Sequence, residues 1–274
     1  FRGRGHLAHL MEEADRQLRV QGCALAVLGG QRQRYRRFGY ELGGTQWQFT
    51  VTARNLRGLP EPEDASVRPL CEADIPQAFR LWKTQPVLGP RTPQTFLWIL
   101  QSWGCEPLGV WDGGQLAGYA SCNAQGQMME LCVQSAALLP PLLRAYLARC
   151  TELTVMLGPW PGALQRALAG YAEHSVLTEN HSYRALRWEP VIRAALALDR
   201  LSGQAPATCR LPIAGAGTLE LQSGSCRFRE DHSTQGISPT QAVQLLFGPA
   251  SRLVLPAAGP SLPLPFMLPW LDGI

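Results

Sequence analysis

The sequence predicts an α/β chain with mixed (α+β) sheets, and three stretches carry that prediction. Residues 6–20, HLAHLMEEADRQLRV, set Leu7, Leu10, Met11, Ala14 and Leu18 on one helical face and Glu12, Glu13, Asp15, Arg16 and Arg19 largely on the other. Residues 23–30, CALAVLGG, form a short apolar run closing on two glycines, the pattern of a buried strand. Residues 107–123, PLGVWDGGQLAGYASCN, place two β-type runs around Asp112, Gly113 and Gly114, a hairpin signature.

Taken in order, the chain opens on a basic, glycine-punctuated turn, FRGRG, that feeds straight into the first helix, and Gly22 ends that helix. A second short helix is expected over QRQRYRRF (31–38), broken at Gly39, and TQWQFTVTAR (45–54) alternates like a strand. A Pro- and acid-rich link, Pro60 to Asp64, separates this part from ASVRPLCEADIPQAFRLWKTQ (65–85), which reads as strand, turn and helix with Asp74 as the cap. After the hairpin come a strand over MMELCVQ (128–134), a helix over LLPPLLRAYLARC (138–150), a strand over TELTVMLG (151–158) and a helix over PGALQRALAGYA (161–172). RALRWEPVIRAALALDRL (184–201) and a Pro- and Gly-rich remainder holding the helix SPTQAVQLLFG (238–248) complete the chain. The expected division is 1–59, 60–187 and 188–274.

Composition narrows the function classes. The formal charge is only +4 over 274 residues, and basic residues gather between positions 2 and 37, which favours a local anionic ligand over nucleic-acid binding. No apolar run reaches the ~20 residues of a membrane helix and nothing at the start reads as a signal peptide, so a soluble, cytoplasmic chain without a membrane partner is expected. Eight cysteines lie far apart without a C-x-x-C pair and mostly in apolar stretches, the usage of reduced core residues. His6 and His9 share no spacing with a third ligand, and no metal is expected.

The opening turn has a physical reading of its own. A short glycine turn at a helix start offers free backbone N–H groups and the positive end of the helix dipole, and glycine lets a phosphate approach closely. Arg2 and Arg4 add charge, and a pyrophosphate fits this arrangement better than one carboxylate does. For an isolated R-G-x-G string, a solvated basic turn is the plain alternative.

Residues 2–7 resemble the R/Q-x-x-G-x-G/A pyrophosphate loop of the Gcn5-related N-acetyltransferases, the GNAT superfamily, and RYRRFGYELGG (34–44) is similar to a Y-x-R-F-G-Y segment of its Eis-like branch. Leu7 stands where the superfamily usually has Gly or Ala, an ending tolerated in that branch. The resemblance implies tandem GNAT folds, the first incomplete because its early strands are absent from the sequence as given, and a small sterol-carrier-like α+β domain at the C-terminus. An N-terminally truncated chain is the corresponding expectation. On this reading residues 1–59 are the C-terminal half of an acetyl-CoA-binding GNAT domain, 60–187 a degenerate second one, and 188–274 the sterol-carrier-like domain.

The implied activity is acetyl transfer from acetyl-CoA to a primary amine by direct attack. Cofactor contacts fall to Arg2, Gly3, Arg4, Gly5, His6 and Leu7, with Gly30 and Gln31 lining the acyl end of the cleft. Tyr35 falls at the family's general acid, and a phenol's ordinary pKa of about 10 suits protonation of a thiolate leaving group. Arg32, Arg34, Arg36 and Arg37 stand by to stabilise charge; Tyr40 is the rival, expected to pack under the loop. In the Eis-like branch the chain's own C-terminal carboxylate takes the amine proton, which assigns that role to Ile274, with Asp272 as the alternative; the apolar tail PLPFMLPWLDGI reads as docked. The second unit has no glycine turn before its helix, and the prolines there remove donors, so it is expected to be a scaffold. A non-catalytic protein that senses CoA or binds a lipid-like ligand is the competing class. The acceptor amine and self-association stay open.

Overall fold

The computed structural model describes residues 5–200, 208–222, 224–251, 262–269 and 271. In chain order the elements are α1 (His6–Val20), β1 (Leu25–Leu28), α2 (Arg32–Arg36), β2 (Glu41–Gly43), β3 (Gln46–Thr52), β4 (Ser66–Pro69), α3 (Ile75–Trp82) and α4 (Pro93–Leu100). They continue with β5 (Cys105–Asp112), β6 (Gln115–Asn123), β7 (Gln127–Val133), α5 (Leu139–Leu147), β8 (Glu152–Leu157), α6 (Ala163–Tyr171) and β9 (His174–Thr178). The last are β10 (His181–Ala185), α7 (Trp188–Asp199), β11 (Cys209–Ile213), β12 (Gly217–Gln222), β13 (Ser225–Glu230) and α8 (Pro239–Phe247). The architecture is the mixed α/β one expected.

Two compact units divide the chain: Phe1–Thr45 with Glu179–Phe266, and Gln46–Thr178 with Met267–Ile274. Their edges do not coincide with the expected boundaries at 59/60 and 187/188, because two strands pair away from their sequence neighbours. β3 follows β2 in the chain yet lies between β8 and β9, whereas β10 follows β9 yet lies between β1 and β2.

The second unit is a seven-stranded sheet in the order β4-β5-β6-β7-β8-β3-β9. Both faces are covered. Leu139, Leu142, Leu143 and Leu168 of α5 and α6 pack with Val51, Val110, Ala120 and Val155 on one side. Ile75, Leu81, Trp82, Phe96 and Leu100 of α3 and α4 pack with Tyr119 and Cys132 on the other. Covering on both sides explains why β6 is buried through all but its end residues and shows no alternation. The predicted hairpin joins β5 to β6 with Asp112 opposite Gln115, and Gly113 and Gly114 both have positive φ (55° and 79°), as a primed turn demands. β7 and β8 are the parallel pair and stay together only at Gln127↔Thr154 and Met128↔Val155 before they part.

The first unit holds the antiparallel sheet β1-β10-β2 and a second antiparallel sheet, β11-β12-β13. α8 packs on β2 and β10, and α7 packs on β13. The tail segment docks as expected over its described part in this unit: Leu262, Leu264 and Phe266 are buried, and the Phe266 ring meets Tyr183 and Phe247 at centroid distances of 5.4 and 5.1 Å. All eight cysteines are free thiols; Cys105, Cys122 and Cys132 are buried, whereas Cys71 is exposed. Among the described residues no helix is long and apolar enough to cross a membrane, and no group of three or more His, Cys, Asp or Glu is placed to hold a metal.

Two local expectations need correction. On α1 the covered stripe is Leu7, Ala8, Met11, Asp15 and Leu18, while Leu10 and Ala14 face solvent. Asp15 can join it because its carboxylate is met by Arg19 and Arg184. Asp74 stands at the N-cap of α3 as expected, but its side chain accepts nothing from that helix; its carboxylate reaches back to the Cys71 N–H at 3.0 Å and takes both Arg68 guanidinium nitrogens at 2.9 Å.

Candidate functional site

α1 begins at Gly5, whose backbone is left-handed (φ 76°, ψ −1°), a conformation that costs a residue with a Cβ. The Gly5 carbonyl accepts from Ala8 N at 2.9 Å and His9 N at 3.3 Å. The N–H groups of Gly5, His6 and Leu7 find no acceptor among the described residues, no side chain caps the helix, and its first turn has no acid. Among the described residues this helix start therefore has donors without acceptors and no acid at its positive end, and Gly5 and His6 are exposed there. This donor set suits a phosphate or pyrophosphate group. Arg2, Gly3 and Arg4 lie outside the described residues.

β1 runs out at Leu28, and Gly29 and Gly30 turn the chain into α2, with Gln31 at its N-cap. Gly30 is required there: its φ is 118°, and a Cβ would stand 3.1 Å from Tyr35 Cε2. The Tyr35 ring therefore lies against the backbone at the end of β1, bringing together two residues singled out in the sequence. Tyr35 is half-buried, and its hydroxyl has no hydrogen-bond partner among the described residues.

Sequence reasoning missed the group that holds α2 in place. Glu41 is wholly buried, with Arg32 Nε 2.5 Å from its Oε1 and Arg36 Nε 3.0 Å from its Oε2; the Leu42 N–H also donates to Oε1. Only the Arg32 contact is aligned as a hydrogen bond, and Oε2 has a purely ionic neighbour. Two of the four arginines expected to stabilise charge near Tyr35 are thus committed to Glu41, and Arg37 lies over the Phe38 ring at 4.7 Å. Tyr40 packs inside, 4 % exposed, where burial pushes its phenol above the ordinary value. A signal existed: Glu41 is the one acid after a run of four arginines.

The second unit carries its own polar centre, also missed. Arg91, its side chain fully buried, clasps Glu130 through two hydrogen bonds of 3.0 and 2.7 Å, and the Tyr119 hydroxyl donates to Glu130 Oε1 at 2.6 Å. Burial holds the Tyr119 phenol well above its usual range. This cluster stands where β7 and β8 part, beside a cavity of about 80 Å³ lined by Trp82, Glu130, Met156, Trp160 and Met267. With both carboxylate oxygens engaged, Glu130 is a neutralised anchor rather than a free base. At the start of α5, Pro140 and Pro141 replace two of the N–H groups that an anion site would use. The expected proton acceptor, Ile274, and its alternative, Asp272, lie outside the described residues.

No family model and no curated protein matches the sequence. Solved structures match it over most of its length. A GCN5-related N-acetyltransferase from Kribbella flavida is 17% identical, with 94% of this chain and 73% of that one covered and a TM-score of 0.59. A probable N-acyltransferase from Enterococcus faecalis is 15% identical, covering 90% and 68% with a TM-score of 0.60, and Eis1 from Mycobacterium abscessus is 13% identical, covering 89% and 68% with a TM-score of 0.55. The chain has the GNAT fold in its Eis-like form.

Proposed function

We propose that the chain is an N-acetyltransferase that moves an acetyl group from acetyl-CoA to a primary amine at the first unit. One observation supports this above the others: a helix start whose first three N–H groups find no acceptor among the described residues and a tyrosine laid on a strand-end glycine occur in the same unit. On this reading the backbone of Gly5, His6 and Leu7 binds the pyrophosphate, with Arg2 and Arg4 adding charge, and Gly30 and Gln31 line the acyl end. Bound acetyl-CoA supplies the activated acyl carbon. The Tyr35 hydroxyl, which spends no hydrogen bond on a described neighbour, gives its proton to the departing sulfur. The second unit, with two prolines at its corresponding helix, serves as scaffold, and residues 188–274 are the sterol-carrier-like domain.

Thiol release from acetyl-CoA, measured with polyamine, aminoglycoside and peptide amines, tests the activity. Amine-dependent release is the expected result. Saturable CoA binding with no release for any amine identifies a CoA-sensing protein instead. Charge reversal at Arg2 and Arg4 together is expected to weaken CoA binding, more so at low salt; unchanged affinity refutes the pyrophosphate assignment.

A further inference from the structure

A cavity of the first unit, about 450 Å³, lies away from the helix start discussed above. Arg19, Arg184 and Arg187 line it, with Glu230 and His232. Trp188, Phe228 and Val243 give it an apolar wall. α1 carries Arg19 about 21 Å from Gly5, so a pyrophosphate at the helix start does not reach this space.

The arginines are not used up by the protein. Arg19 and Arg184 share one carboxylate: Arg19 Nε is 3.1 Å from Asp15 Oδ2, and Arg184 Nη2 is 3.2 Å from Asp15 Oδ1. The second contact is not aligned as a hydrogen bond, since Asp15 Oδ1 is buried and accepts none. The Arg184 guanidinium therefore donates no hydrogen bond to any described residue, although three quarters of the side chain is buried. Arg187 spends one nitrogen on the Gly22 carbonyl at 2.7 Å. Against three guanidinium charges stand Asp15 and Glu230, leaving a surplus of positive charge at the wall of a cavity. Gly39 makes room for this arrangement: its φ is 83°, and a Cβ would stand 3.2 Å from Arg184 Nε.

A planar fork with idle donors, held beside an apolar wall in a cavity of small-molecule size, is the chemistry that recognises an oxyanion on an apolar body. We propose that this cavity is a second ligand site, separate from acetyl transfer, that binds a small organic anion with a phosphate or carboxylate head. Arg184 and Arg187 hold the head; Trp188, Phe228 and Val243 face the body.

Calorimetric titration of the full chain at saturating CoA, with phenyl phosphate, benzoate, inorganic phosphate and benzyl alcohol as separate probes, tests it. Saturable binding of phenyl phosphate or benzoate, at least tenfold tighter than benzyl alcohol, is expected. Whichever of the two binds more tightly identifies the head group. Arg184→Ala is expected to weaken that binding roughly 10–100-fold, the loss typical of a hydrogen bond to a charged group. Arg187→Gln serves as the second variant, with several-fold weakening expected and Gly22 its only described partner lost. Equal affinity in wild type and in variants that melt like it, benzyl alcohol binding as well as the anions, or no saturable binding of any probe overturns the proposal. Loss of binding on Arg184→Ala establishes the site whether or not CoA itself binds.

Discussion

Tyr35 and Glu41 show what single residues contribute to the first unit. A five-residue helix cannot stand on its own hydrogen bonds, because nucleation costs more than one turn returns. Arg32 and Arg36, four apart, lie on one face of α2 and both reach the buried Glu41. Tyr35, between them in sequence, points its ring elsewhere, onto Gly30. Replacing Tyr35 by Phe removes one oxygen and no packing, so CoA affinity and melting temperature should hold while kcat falls by about 10²–10⁴, as for other general acids. A variant that turns over normally removes Tyr35 from the mechanism. Glu41→Ala should loosen the helix that carries Tyr35. Both arginines are about half-exposed and can turn to water, so the expected loss is on the order of 1 kcal/mol, read as a melting point lower by a few degrees.

At the scale of elements, the start of α3 converts charge into pH dependence. Two hydrogen bonds from Arg68, with the Cys71 N–H, hold the Asp74 carboxyl down at about 2. A pKa lower in the folded than in the unfolded chain means stability that is full above about pH 4 and is lost as pH falls towards 2. Arg68 is half-exposed, which limits the contribution to on the order of 1 kcal/mol. Asp74→Asn should therefore lower the denaturation midpoint at pH 7 and match wild type near pH 2; a difference that persists unchanged at pH 2 contradicts the ion-pair account. The start of α5 makes the opposite point. Pro140 and Pro141 give it rigidity and no donors there, so one CoA per chain is the expected calorimetric stoichiometry, and two would return the second unit to the list of cofactor sites.

At the scale of the molecule, the two crossing strands decide which pieces can fold. β3 buries Phe49 and Val51 and pairs with β8 on one side and β9 on the other, so a fragment starting at residue 60 leaves β9 with no partner and β8 with an open edge. A fragment of residues 46–187 should accordingly show a more cooperative thermal transition than one of residues 60–187. Equal cooperativity would mean that β3 is dispensable to its sheet.

Local chemistry made much of this readable in advance. The helix over residues 6–20, though not the face it buries, the Asp112–Gly113–Gly114 turn, the apolar run of β1 and Gly5 at the start of α1 depend on neighbours a few positions apart and were legible from the chain alone. It also carried the motif whose fold the solved structures share. Where β3 and β10 pair follows from the folded chain, because a strand's partner is chosen by burial across the sheet and leaves no mark in its own alternation. The same holds for Glu41, Arg91 and Glu130: a lone acid in an apolar or basic run does not say which arginine will meet it, since that depends on charges brought together when water is excluded. Arg184 is the sharpest case, ordinary in sequence and distinguished only by a cavity and by donors that its folded neighbours leave unused.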